Sequence, residues 1–106
     1  MHKIKLATDG NNNLGNKIFP IVRPWNTEYQ TGTKVTLCLG GAEVGEAEIV
    51  RGIKMQNLAA IPEIVLMLTT GSIDTPAIRD KLDQYYKAKI DLTKQPFGIY
   101  LLKRLL

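Results

Sequence analysis

The segment KVTLCLGGAEVGEAEIV, residues 34–50, constrains the fold of this chain more than any other. Val35, Leu37 and Leu39 fall on one side of an alternating run. Gly40-Gly41 then turns the chain, and residues 44–50 return with a second alternation. Two such runs around a two-residue glycine turn read as a β-hairpin. In the returning strand Glu46 and Glu48 alternate with Ala47 and Ile49, so one face is wet and the other is buried. Something must cover the buried face, and the flanking segments are the available material.

Upstream, KIKLA at residues 3–7 is a short strand with Ile4 and Leu6 inward. DGNNNLG at residues 9–15 is a turn or loop, because Asn and Gly tolerate left-handed backbone. IFPIVRPW follows at residues 18–25. Pro20 and Pro24 lack amide donors, which places this segment at an edge or makes it irregular. A polar loop closes at Gly32.

After Gly52 the period changes. Residues 57–61 form a short helical turn, and Pro62 opens EIVLMLTTG, a helical run closed by Gly71. Asp74-Thr75-Pro76 begins a second helix, with a capping carboxylate followed by proline. Ile78, Leu82, Tyr85 and Tyr86 share its apolar face, and one tyrosine ring is expected in the core with the other at the surface. A last strand is expected over residues 97–102. Strands, then helices, then a closing strand describe an α+β fold, a small mixed β-barrel with two to three helices packed on it.

The whole chain of 106 residues is read as one domain. It has no internal repeat, low-complexity tract or linker. No apolar run approaches the roughly 20 residues of a membrane span, and the first residues lack the apolar core of a signal peptide. One cysteine, Cys38, rules out an internal disulfide. These features point to a cytoplasmic protein without a membrane partner, and nothing suggests more than a monomer. The formal net charge is +4, which tilts the partner toward a polyanion or a phosphate-bearing ligand.

Several residues resemble those of a known family. An apolar run ends in Arg-Pro (IVRP, residues 21–24), a loop carries Tyr29 and Gly32, and the strand KVTLCL follows. Then come a return strand of GEAEIV type, a helical TG…L…Y segment at residues 70–86 and a final FGIYLLKRL strand. In this order and spacing the chain resembles an ASCH domain, a compact relative of PUA-like RNA-binding barrels. The resemblance spans most of the chain, roughly residues 18–105. It implies an RNA- or nucleotide-binding module with a basic cleft that contains Arg23.

Some small members of that family are amidohydrolases that deacylate modified cytidine such as acetylcytidine. Their motif has the form Lys-x-x-Thr-x-Arg, with a Glu further on. Here Arg23 matches, but Ile21 and Ile18 stand at the Thr and Lys positions, and Lys17 lies one residue early. A bulge at Pro20 would be needed to correct that shift. The region where the Glu is expected, TTGSID, has Asp74 but no Glu. The binding module is therefore the leading reading, and the hydrolase, with Lys17 as catalytic base, is the alternative. A third reading is a degenerate member that serves a protein partner through the apolar IVLMLTTG segment.

Arg23 is the first site candidate, since a guanidinium presents five fixed donors to phosphate or a base edge. Its structural alternative is an arginine that pairs with a carboxylate near the barrel mouth. Trp25 and Tyr29 either stack on a base or cap the core, and Lys17 is either a phosphate contact or a surface lysine. Cys38 has no nearby base, because the one histidine is His2 at the chain start. One Cys and one His do not supply a common zinc ligand set, and no cofactor motif is present. The sequence thus predicts Arg23 at the mouth of a concave site. Its expected walls are the 25–29 loop and residues 69–75, with the helix start at Asp74-Thr75-Pro76 facing the same anion.

Overall fold

The structure, a computed structural model, describes residues 2–6 and 17–105. Over the described residues it is an α+β fold of five strands and two helices. The strands are β1 (His2–Leu6), β2 (Ile18–Pro24), β3 (Lys34–Leu39), β4 (Ala42–Met55) and β5 (Phe97–Leu105). A 3₁₀ turn at Leu58–Ala60 leads into helix α1 (Glu63–Thr70) and helix α2 (Thr75–Lys87). The expected 9–15 loop lies outside the described residues.

The strands form one curled, half-barrel sheet in the order β1-β3-β4-β5-β2. Only β1 and β3 run parallel; the other pairs are antiparallel. The β3–β4 hairpin turns at Gly40 (φ 58°) and Gly41 (φ 84°), where both residues need positive φ. β2 is an edge strand, as its two prolines require. Its register with β5 is unbroken from Ile18↔Lys103 to Pro24↔Phe97, so Pro20 makes no bulge.

Two strands run further than their sequence suggests. β4 continues through Gly52 to Met55, with Val50 skipped in the pairing between Ile49↔Leu102 and Arg51↔Leu101. The glycine does not end the strand; it makes room. A β-carbon at Gly52 would meet the Tyr100 ring at 3.0 Å, and one at Gly98 would meet it at 2.6 Å. β5 likewise runs to Leu105, pairing with β4 out to Glu46↔Leu105, and Arg104 donates from Nη2 to the Val44 carbonyl at 3.0 Å.

The sheet buries both faces. Its concave face holds a strand-only core of Ile4, Phe19, Ile21, Val35, Leu37, Ala47, Ile49, Tyr100 and Leu102. The other face carries the helices over Val22 and Phe97, with Leu58, Ile61, Leu66 and Ile78 filling the gap. Helix α1 ends at Gly71 in the left-handed region (φ 74°), whose amide donates to the Met67 carbonyl at 2.7 Å. Helix α2 is capped by Asp74, whose Oδ1 accepts from the Ala77 amide at 3.2 Å. Arg79 ties this helix to the preceding turn by donating to the Ile61 carbonyl at 2.6 Å. No described helix is long and apolar enough to cross a membrane.

Candidate functional site

Because β1 and β2 are the two ends of the strand order, the curled sheet leaves a seam between them. Arg23 bridges it. Its Nη2 donates to the Lys5 carbonyl of β1 at 2.9 Å, and its Nη1 turns back to the Val22 carbonyl at 2.7 Å. Both acceptors are neutral, so they fix the guanidinium without cancelling its charge. Among the described residues, Arg23, Lys5 and Lys89 form no ion pair with a carboxylate.

The end of α2 packs against this seam. Pro24 and Gly98 flank the relevant register, with Pro24 paired to Phe97 and Arg23 to Gly98. The Phe97 ring meets Tyr86 edge-on at 5.2 Å, and Tyr86 meets Tyr85 edge-on at 4.8 Å. The Lys89 ammonium then stands 3.8 Å from the centroid of the Tyr85 ring. Tyr86 is half-buried and Tyr85 is 58% exposed, so one ring is in the core and the other at the surface, as the helical spacing predicts.

The electrostatics follow this geometry. The Tyr85 phenol is held below its ordinary value, first by hydrogen bonding with Lys89 and by its charge, then by Arg23 and Lys5 more weakly. Tyr86 is pushed the other way by burial, with Arg23 acting against that. Lys89 therefore sits on an exposed phenol, and the charges of Arg23 and Lys5 act on the same group more weakly. Such a site can hold an anion, and its tyrosine face can receive a flat ring.

The remaining predicted residues lie elsewhere. Trp25 stacks on Tyr100 with centroids 5.5 Å apart and planes 15° apart, while Tyr29 meets the same ring edge-on at 5.3 Å. Both pack against the concave core. The Tyr100 hydroxyl accepts from the Asn26 amide at 2.9 Å and fixes the start of the loop. Trp25 and Tyr29 thus have the geometry of a plug, with Lys54 5.8 Å from the indole and His2 Nε2 3.1 Å from Glu28. Lys17, immediately ahead of β2, is exposed and lies six positions before Arg23, a span of roughly 20 Å. The structure does not bring those two side chains together, and no bulge at Pro20 shortens the path.

The expected meeting of Arg23 with the α2 start is also replaced. Arg23 bonds to Lys5 and Val22, and Asp74 already places a carboxylate on the first-turn amide of that helix. A negative side chain at that end disfavours a second anion. The site residues that the sequence reading passed over are Lys5, Tyr85 and Lys89. Tyr85 and Lys89 stand four apart, a helical spacing that brings side chains together, and this was visible. Lys5 carried no such signal. No group of three His, Cys, Asp or Glu side chains among the described residues is placed to hold a metal ion.

No family model matches this chain. No curated protein matches it either. Among solved structures it is similar to the crystal structure of protein EF3133 from Enterococcus faecalis V583, family-model DUF984. The TM-score is 0.55 at 9% identity, over 99% of this chain and 80% of that one. The likeness concerns the fold.

Proposed function

We propose that this chain is an ASCH-type domain that binds RNA or a nucleotide at the β1–β2 seam, with Arg23 as the central phosphate contact. The observation that carries the reading is the Arg23 guanidinium, fixed by two backbone carbonyls and, among the described residues, paired with no carboxylate. An arginine that only balanced the fold's own charge would face a carboxylate. Among the described residues this one bonds to neutral oxygens, and those two bonds use two of its five donors. Lys5 and Lys89 add mobile charge beside it, and the exposed Tyr85 adds a ring.

The test is anisotropy of a labelled single-stranded RNA at two salt concentrations. Three neutralised phosphates give a slope of about −2 in log affinity against log salt. Raising salt from about 50 to about 200 mM then weakens binding roughly 20-fold. Arg23→Ala weakens binding at both salts and makes the slope shallower by about 0.7. Absence of binding at low salt, or an Arg23→Ala variant that binds like the wild type, rejects the proposal.

One observation favours a second reading, a protein-interaction role. Ile64 and Leu68 lie one turn apart on α1 and are exposed, and Ile73 beyond it is 88% exposed. Light scattering on the wild type and on Ile64→Lys/Ile73→Lys distinguishes the two. Concentration-dependent association that the variant abolishes supports this reading, and a clean monomer in both removes it.

A further inference from the structure

The Lys89–Tyr85 contact occupies the one exposed aromatic face of the seam. A lysine on a surface tyrosine gains little from the ring. A phosphate is a stronger partner for the same ammonium, because a charge-assisted hydrogen bond exceeds a contact with a neutral π-face. The stem from Lys89 to its ammonium is long and flexible, and Lys89 is exposed, so the exchange needs no backbone movement.

We infer that Lys89 is a placeholder: the phosphate of an incoming nucleotide unit, held by Arg23, draws the Lys89 ammonium off Tyr85, and the base of that unit stacks on the vacated ring. This deepens the proposed function and rests on it. It names the minimal ligand as a phosphate joined to a base, whether a free mononucleotide or one unit of an RNA strand. Tyr85 supplies base stacking, which tolerates any base because each has a π-face. Lys89 becomes a phosphate contact only in the bound state. Lys5, on the far side of the seam, contributes charge to the same anion.

The placeholder also explains why a tyrosine with so much exposed ring is not simply a surface accident. Lys89 lies over one face of the ring and Tyr86 meets it edge-on, while Tyr85 as a whole stays 58% exposed. Binding exchanges one cover for another. The phenol reports the exchange, because Lys89 is the first cause of its lowered titration.

The experiment compares inorganic phosphate, ribose 5-phosphate, adenosine 5′-monophosphate and a short single-stranded RNA by calorimetry, on the wild type, Tyr85→Leu, Tyr85→Phe and Arg23→Ala. For the wild type, the mononucleotide binds about tenfold tighter than ribose 5-phosphate, about 1.4 kcal/mol. Tyr85→Leu loses that base-dependent advantage and keeps the sugar-phosphate affinity, while Tyr85→Phe retains it. Tyr85 is exposed, so neither change endangers folding. A second readout follows phenolate absorbance: bound nucleotide moves the Tyr85 step up toward the ordinary tyrosine value. A mononucleotide weaker than the RNA but sensitive to Tyr85→Leu in the same way assigns the site to strand binding, still by the same exchange. If RNA binds in an Arg23-dependent way but Tyr85→Leu changes nothing, or the phenol does not move, the placeholder is wrong and the proposed function stands. If Arg23→Ala binds RNA normally, the proposed function fails first.

Discussion

Replacing Gly98 with alanine tests how the barrel mouth is built. The new β-carbon would lie 2.6 Å from Tyr100 Cε2, 2.8 Å from Tyr100 Cζ and 2.9 Å from Trp25 Cε3. All three are ring atoms held on both sides, and they cannot swing away as a flexible chain would. Gly98 does not have positive φ, so backbone strain adds nothing. Overpacking of this kind costs about 1–3 kcal/mol. Displacing the rings also weakens the Trp25–Tyr100 stack, worth about 0.5–1.5 kcal/mol, and the hydroxyl's bond to Asn26, about 1 kcal/mol. Against this, alanine restricts the unfolded chain and returns about 0.4–1 kcal/mol. The net expectation is a loss of about 2–4 kcal/mol, or roughly 8–16 °C in Tm at about 4 °C per kcal/mol. Thermal unfolding followed by Trp25 fluorescence measures it directly, because Trp25 is the sole tryptophan. Gly52→Ala is the internal control: its nearest contacts are 3.0 and 3.1 Å to Tyr100 and 3.4 Å to Trp25, so it must cost less. A Gly98→Ala protein within about 0.5 kcal/mol of wild type, the range of an ordinary surface change, would refute the packing described here.

Three further outcomes are expected. In an absorbance titration Tyr85 ionises below the ordinary tyrosine value of 10.0, and Tyr86 and Tyr100 ionise above it because burial disfavours their phenolates; Tyr85→Phe removes the first step. Above that value the unfolded chain loses these protons before the folded one, so stability present at lower pH declines as pH rises through the two buried phenols. Arg79→Met leaves the Leu58, Ala59 and Ile61 carbonyls without their cation and lowers stability by about 2 kcal/mol in urea. Asp74→Ala removes the α2 cap and lowers stability by about 1 kcal/mol, with Asp74→Asn retaining most of it.

What the sequence made legible was local. The alternation in residues 34–39, the Gly40-Gly41 turn and the Asp74-Pro76 helix start are each written within a few neighbours, and each stands in the fold. The prolines of β2 announced an edge strand for the same reason. The extension of β4 past Gly52 was hidden, because a glycine that ends a strand and one that seats an aromatic ring look alike until Tyr100 is placed over it. Arg23 was legible as a candidate, but its surroundings were not. Lys5, Tyr85 and Lys89 reach it only through the strand order and the docking of α2, which join residues up to 84 apart in the chain (89 − 5). Trp25 and Tyr29 were visible as aromatics near the cleft; that they meet Tyr100 depends on a register that no local pattern encodes.

The most direct test of the seam as a ligand site is an NMR titration of the labelled protein with single-stranded RNA, observing backbone amides and the arginine Nε–Hε signals. The account predicts that the Arg23 side chain and the amides of Lys5, Tyr85, Tyr86 and Lys89 shift together and saturate at one stoichiometry. Shifts confined to the β3–β4 turn or the exposed face of α1, with Arg23 unmoved, would contradict it.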